Sequence, residues 1–368
     1  SPKMIIMILV LALFTFLIGK FFKHKIDSKK IRIISLSAVL IVSIIIFKSF
    51  YFSAKIYDKV GDKSNINIWI KSEQFQVRGF VYPFIYSIKD AKDIKPEGYN
   101  KKAAMELLST KEYKDIPENE KVNIVAVMLE AFNDFTKFDG VELNPGIYEN
   151  FHRLQQESIH GKLVTKIFGG DTIKTEREFL TGFYNEPKYY KRTNSHMWYF
   201  KEQGYRVEGM HPITGSFYNR KNVDEYLGFD YFEHYDNRYK AITPDYLMDM
   251  DFFDYILEGY ANNKNNAQPY ISFSVTYQNH GPYPSEYTTE EQYLIKKPGF
   301  NEGNYNIINN YLSGINQTDK ALKKLFDYFR NEEEPTILII FGDHNPWLGY
   351  NAAGYGMLGI NLDPSTIE

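Results

Sequence analysis

The stretch Gly169–Gly182, GGDTIKTEREFLTG, runs from a glycine turn through a hydroxyl residue into sequence of helical composition. Two glycines and Asp171 precede Thr172; Lys174, Glu176, Arg177, Glu178, Phe179 and Leu180 follow. This spacing predicts a helix whose N-cap falls at or near Thr172. Free backbone N–H groups and the positive end of the helix dipole favour an anion there. Two chemistries suit a hydroxyl in that place. One is a capping threonine, with Glu176 assisting in the first turn. The other is a nucleophile aimed at a phosphorus atom. Glu130, His211, His280, Asp343 and His344 bear on the choice, because each falls just after an expected strand. Glu130, Asp343 and His344 with the Thr172 oxygen make an O,O,O,N donor set, which suits Mn²⁺ or Mg²⁺, with Zn²⁺ as an alternative. Such an ion lowers the pKa of a bound hydroxyl and polarises a phosphoryl oxygen. His211 and His280 then bind phosphate or serve as general acid and base.

The elements that must position these residues follow from periodicity. Val122–Leu129 (VNIVAVML) is a short apolar run rich in β-branched residues, expected as a buried strand. Tyr148–Ser158 and His196–Gln203 read as helices, and Tyr311–Asn331 as a long amphipathic one. Gly161–Ile167 alternates like a strand and feeds the glycine turn; Tyr205–Gly209 and Pro269–Val275 (PYISFSV) are further strands. Thr336–Phe341 (TILIIF) is expected as a buried strand running directly into Gly342-Asp343-His344. Strands alternating with helices indicate an α/β domain with a mostly parallel sheet, whose ligands bind beyond the carboxyl ends of the strands.

Before that domain the chain is of a different kind. Met4–Phe22 and Ile33–Phe52 are apolar runs, each about 20 residues long, the length of a membrane-crossing helix. Lys20, Lys23, Lys25, Lys29, Lys30 and Arg32 between them mark a cytoplasmic loop, so everything after residue 53 is expected outside. Residues 53–120, with a short helix expected at Lys101–Leu108, read as an extracellular connector, closed by the charged break DIPENEK at 115–121. The 368 residues carry a net charge of −3, which excludes nucleic-acid binding by bulk charge. Tyr and Phe number 30 and 28, too many for a disordered chain. Cysteine is absent, which excludes disulfides, zinc–thiolate sites, thiol nucleophiles and a cysteine-derived sulfatase residue. No Ser-x-Pro-x-Arg string occurs, which disfavours a serine-derived one.

The glycine-rich run resembles the nucleophile motif of lipoteichoic acid synthases, membrane-anchored phosphoglycerol transferases of the alkaline phosphatase/sulfatase superfamily. Four further segments match in the family's order: Leu129-Glu130-Ala131-Phe132, the run from His211 to Arg220, Asn279-His280-Gly281-Pro282-Tyr283, and Gly342-Asp343-His344. The resemblance covers about residues 122–350 and implies an alkaline-phosphatase-like, mostly parallel sheet sandwiched by helices and preceded by transmembrane helices. It implies a catalytic Thr172 that is also a metal ligand, with Glu130, Asp343 and His344 completing a site for one divalent ion, foremost Mn²⁺. It assigns substrate contacts to His211, Tyr218, Arg220 and His280. The implied activity moves glycerol phosphate from phosphatidylglycerol to a polyglycerol-phosphate or glycolipid acceptor. The implied setting is a multi-pass protein of the cell membrane of a Gram-positive bacterium, its catalytic domain extracellular. Alternatives on the same site are a phosphoethanolamine transferase, a phosphodiesterase, and a non-catalytic membrane sensor of the polymer. Two residues depart from the pattern: Asp171 beside the nucleophile, read as a turn residue, and Tyr218 where a Trp is expected. The expected domain, residues 121–368, stops short of the family's C-terminal part, and two membrane helices stand where about five are usual. Together with an opening Ser1-Pro2-Lys3-Met4, this reads as a piece of a longer protein.

Overall fold

The computed structural model describes residues 28–61, 71–91, 95, 97–111, 114–183, 189–243, 245–264 and 268–362. The chain divides into two compact units, one from residues 1–66 and 74–91, the other from 67–73 and 92–368. In the first, Lys29–Tyr51 is a helix of 23 residues whose N-cap Ser28 accepts from the Ile31 N–H. Among the described residues it is the one helix long and apolar enough to cross a membrane. Leu36, Val39 and Ile41 on different faces all stand more than half exposed. An all-round apolar surface of this kind is at home in lipid rather than water. At its end Phe50 stacks on Tyr82, whose hydroxyl donates to the Phe50 carbonyl. The other expected span, 4–22, lies outside the described residues.

The second unit is built on a five-stranded, all-parallel sheet. Its strands are β1 (Asn123–Leu129), β2 (Arg206–His211), β3 (Tyr231–His234), β4 (Tyr270–Val275) and β5 (Thr336–Gly342), lying in the order β3-β2-β4-β1-β5. β1 is buried along its whole length, and its side chains alternate between two cores. Val125, Val127 and Leu129 face one core; Ile124, Ala126 and Met128 face the other. The first core is closed by the helices Asp249–Asn263 and Glu302–Arg330, which bring in Phe252, Phe253, Ile256, Tyr311, Leu312 and Leu325. The second is closed by Thr172–Thr181, His196–Glu202 and Arg220–Leu227, through Leu180, Met197, Val223 and Leu227. Each buried side chain of this size stabilises the fold by about 1.5–3 kcal/mol relative to exposure, and both faces of a parallel sheet need that cover. This is the expected α/β sandwich.

Several elements differ from the sequence reading. Gly161–Ile167 forms no strand; beside it only Phe168 makes a bridge, to Asn345. Alternation is not sufficient without an edge to pair with, and Leu163 and Val164 remain exposed. β5 is an edge strand rather than a buried one, with Ile337 50% exposed. The long helix begins at Glu302, capped by Asn301, well before Tyr311. The helices Arg220–Leu227 and Asp249–Asn263 and strand β3 are additions to the expected set.

Candidate active site

The site grows from the register of the central strands. Leu129 pairs with Gly342, so the residues that follow, Glu130 and Asp343, leave the sheet side by side. Gly342 permits this closeness: a Cβ there would lie 2.2 Å from the Phe132 carbonyl oxygen. Beyond Glu130 the backbone turns sharply, with Ala131 at φ +49°. Asp343 Oδ1 secures the turn by accepting from the N–H groups of Ala131 and His344, both at 2.7 Å. The Glu130 N–H donates to Thr276 Oγ1 at the end of β4. His344 Nδ1 donates to the Asn345 carbonyl at 2.9 Å. A carbonyl only accepts, so the proton sits on Nδ1 and the lone pair of Nε2 is presented to the site.

Thr172 arrives from the other side. Gly169 holds its turn at φ +70° against the Trp347 ring, where a Cβ would meet ring carbon at 2.6 Å. Thr172 is the first residue of its helix; Asp171 occupies the cap position at φ +62° and makes no side-chain capping bond. The cap reading of Thr172 is therefore corrected, because Asp171 holds the cap position and the Thr172 hydroxyl meets Glu130 and His344 instead. Thr172 Oγ1 lies 3.2 Å from Glu130 Oε2 and 3.3 Å from His344 Nε2. Thr175 fastens the same helix to the strand end by donating to the Asp343 carbonyl at 2.8 Å. Asp171 forms an ion pair with Lys174 at 2.6 Å, in keeping with a turn residue. Glu176 does not cap either: it is buried against Arg220.

Glu130, Asp343 and His344 are buried, and one donor atom from each lies within 4.8 Å of the others. Asp343 Oδ2 makes no hydrogen bond and lies 3.2 Å from His344 Nε2. Burial, then the neighbouring Asp343, pushes the Glu130 carboxyl well above the ordinary carboxylate range; burial raises Asp343 as well. Two dry carboxylates, one of them with an orphaned oxygen, and an imidazole lone pair converging on one point fit a divalent cation, whose charge offsets their crowding.

The four residues expected to contact substrate are placed differently from one another. His280 is exposed and lines a cleft of about 460 Å³ together with Glu130, His344, Gly170, Tyr283 and Trp347. Its Nδ1 donates to the Gly281 carbonyl and its ring stacks on Tyr277. His211, Tyr218 and Arg220 do not line that cleft. His211 ends β2, buried, with Nδ1 donating to the Val275 carbonyl. Burial, followed by the Arg220 charge, holds its pKa well below the usual imidazole value, so it is neutral with Nε2 open. Tyr218 and Asn219 form a left-handed turn that aims the chain into the Arg220–Leu227 helix. The Arg220 guanidinium carbon lies 5.4 Å from the Tyr218 ring. It is bonded through Nε and Nη2 to Glu176, while Nη1 makes no bond. Neither Glu176 as the partner of Arg220 nor Thr175 as the fastening of the Thr172 helix was expected; their signal in the sequence is the one-turn spacing from Thr172.

Comparison with known proteins places this arrangement. The chain is 28% identical over 310 residues to a Rhizobium meliloti protein named for cyclic β-1,2-glucan modification, covering 80% of this chain and 47% of that one. It is 23% identical over 239 residues to lipoteichoic acid synthase 1 of Bacillus subtilis, covering 61% of this chain and 36% of the relative. The chain thus spans half or less of the length of these curated relatives. The Streptococcus pyogenes phosphoglycerol transferase GacH, solved with sn-glycerol-1-phosphate, shares the fold with a TM-score of 0.56 at 20% identity, covering 72% of this chain and 74% of that one. A model of the sulfatase family matches residues 122–363, which contain the whole sheet and the cluster at its strand ends, and the chain belongs to that family.

Proposed function

We propose that this chain is a membrane-attached phosphoglycerol transferase with Thr172 as its nucleophile. The observation that carries the reading is the Thr172 hydroxyl, buried at a helix N-terminus within 3.3 Å of both Glu130 and His344. A divalent cation held by Glu130, Asp343, His344 and the Thr172 oxygen, Mn²⁺ in preference to Mg²⁺ or Zn²⁺, would favour the ionised hydroxyl and offset charge on the phosphoryl oxygens. Thr172 Oγ1 attacks the phosphorus of phosphatidylglycerol, the bond to the diacylglycerol oxygen breaks, and that oxygen takes up a proton as diacylglycerol leaves. Glycerophosphate is then esterified to Thr172, and the helix N–H groups favour its charge. An acceptor hydroxyl attacks the phosphorus, loses its proton and frees Thr172. His280, on the cleft wall, contacts the phosphoryl group when protonated on Nε2. His211, neutral with an open Nε2, is suited to accept a hydrogen bond from a glycerol or acceptor hydroxyl.

The acceptor is a polyglycerol-phosphate chain or glycolipid in the reading favoured by the lipoteichoic acid synthase relatives. The Rhizobium relative supports a second reading, in which the accepting hydroxyl belongs to a glucan. The deciding assay uses the full chain in phosphatidylglycerol vesicles with Mn²⁺. Diacylglycerol is released and Thr172→Ala slows release at least about 10³-fold, as removal of a nucleophile does. Release from phosphatidylethanolamine alone would instead make the donor's headgroup ethanolamine. Absence of release from either lipid, with binding of polymer unchanged in Thr172→Ala, would make the chain a sensor.

A further inference from the structure

The Arg220 guanidinium is 2% exposed and Glu176 is 1% exposed. Glu176 Oε2 accepts from Arg220 Nη2 at 2.7 Å and from Nε at 3.1 Å. The third nitrogen, Nη1, is buried and has no partner. A pair that existed only to join two helices would not leave a charged donor dry and unbonded, since an unmade bond at a buried charged group is destabilising. The free donor belongs to the same neighbourhood as the strand ends. The charge of Arg220 acts on both Glu130 and His211. Asp224, one turn further along the Arg220 helix, is buried in the same cluster, yet its Oδ2 bonds to nothing. The hydrogen bonds that orient the guanidinium are those of Glu176. Glu176 lies one turn after Thr172 in the same helix, so the helix that presents the hydroxyl also holds the arginine.

We propose that Glu176 is the positioning residue of the phosphate site: it grips Arg220 by Nε and Nη2 and keeps Nη1 as the donor for a phosphoryl oxygen. The inference rests on the reading of the cluster as a phosphoryl-transfer site, and it adds a residue that touches no substrate. A guanidinium held along one edge loses little freedom when its other edge meets an anion, which strengthens binding without a new contact.

The test is the affinity of the full chain, with Mn²⁺ in detergent, for sn-glycerol-1-phosphate and for inorganic phosphate, measured by calorimetry. Arg220→Lys and Glu176→Gln are each expected to weaken binding roughly 10- to 100-fold, the worth of a charge-assisted bond. The double variant binds no more weakly than the poorer single one, because Glu176 acts through Arg220. Asp224→Asn stays within about threefold of the parent chain. Multiplying effects in the double variant, or parental affinity in Glu176→Gln, overturns the proposal. So does equal weakening by Asp224→Asn, which would mark a general effect of disturbing the buried cluster. Should Glu176→Gln not fold, Glu176→Asp keeps the charge but draws it back by one methylene. It is expected to weaken binding several-fold in a chain that still melts cooperatively, and parental affinity there overturns the proposal equally. Failure of diacylglycerol release with this phosphate-binding pattern intact removes the assigned lipid donor and leaves the role of Glu176 standing.

Discussion

Thr172 illustrates how one residue's identity leaves its role open until its neighbours are known. A hydroxyl after two glycines reads equally as a helix cap, and the geometry separates the alternatives: Asp171 takes the cap position while the hydroxyl turns towards Glu130 and His344. His211 makes a similar case in its protonation. Burial and the Arg220 charge hold its folded pKa well below the usual imidazole value. As pH falls below about 6.5, the unfolded chain takes up a proton at this histidine and the folded chain does not. Its contribution to stability is therefore constant at higher pH and is lost as pH falls, by up to about 1.4 kcal/mol per pH unit. Urea denaturation of His211→Gln at pH 5, 6 and 8 is expected to show a shallower fall towards acid than the parent chain. Parallel curves would show that His211 titrates normally. The sequence placed Glu130, Asp343 and His344 correctly at strand ends, because position after a strand is a local property. It did not reveal Glu176 as the partner of Arg220, because the two are 44 residues apart and charged residues one turn apart on a helix ordinarily face water.

At the scale of elements, what was legible depended on how much of the signal was local. β1, β2, β4 and the helix at His196 could be read because they carry apolar runs or clear periodicity. β3 has four residues, two of them Glu233 and His234, and its strand character comes from pairing with β2. The opposite error at Gly161–Ile167 arose from alternation that finds no sheet edge. Gly342 is where element and site meet, since β5 and the Glu130 turn can approach only across a missing side chain. In Gly342→Ala the new Cβ would sit 2.2 Å from a backbone oxygen, which cannot move as a side chain end can. Overpacking of this kind costs about 3 kcal/mol. In a domain of this size that lowers the melting temperature by roughly 6–12 °C. Gly356→Ala points into open space at an ordinary φ and serves as the control, neutral or slightly stabilising. Equal melting temperatures for the two variants would mean that the turn at Glu130 yields without loss, and that its position is not fixed by β5.

The whole sheet-bearing unit is tied together at a point where its chain segments are far apart in sequence. Thr172 is 42 residues from Glu130 and 172 from His344, and their side chains meet within 3.3 Å. Without a cation, this junction joins two crowded carboxylates whose affinity for protons is raised by burial. A bound divalent ion reverses the balance and links the ends of β1 and β5 to the Thr172 helix, so its binding energy becomes stability of the fold. At a concentration about 1,000-fold above the dissociation constant, that stabilisation is about 4 kcal/mol, or roughly 10 °C in melting temperature for a domain of this size. The size of the shift must depend on pH in a defined sense. Glu130 has to lose its proton to act as a ligand, so the ion binds more tightly as pH rises and displaces a proton when pH is low. Thermal denaturation with Mn²⁺ and with a chelator, at pH 5.5 and pH 8, is expected to show the larger difference at pH 8. Asp343→Asn should abolish the difference at both values while the chelated protein still melts cooperatively. A melting temperature indifferent to the ion in the parent chain would mean that the cluster holds no metal.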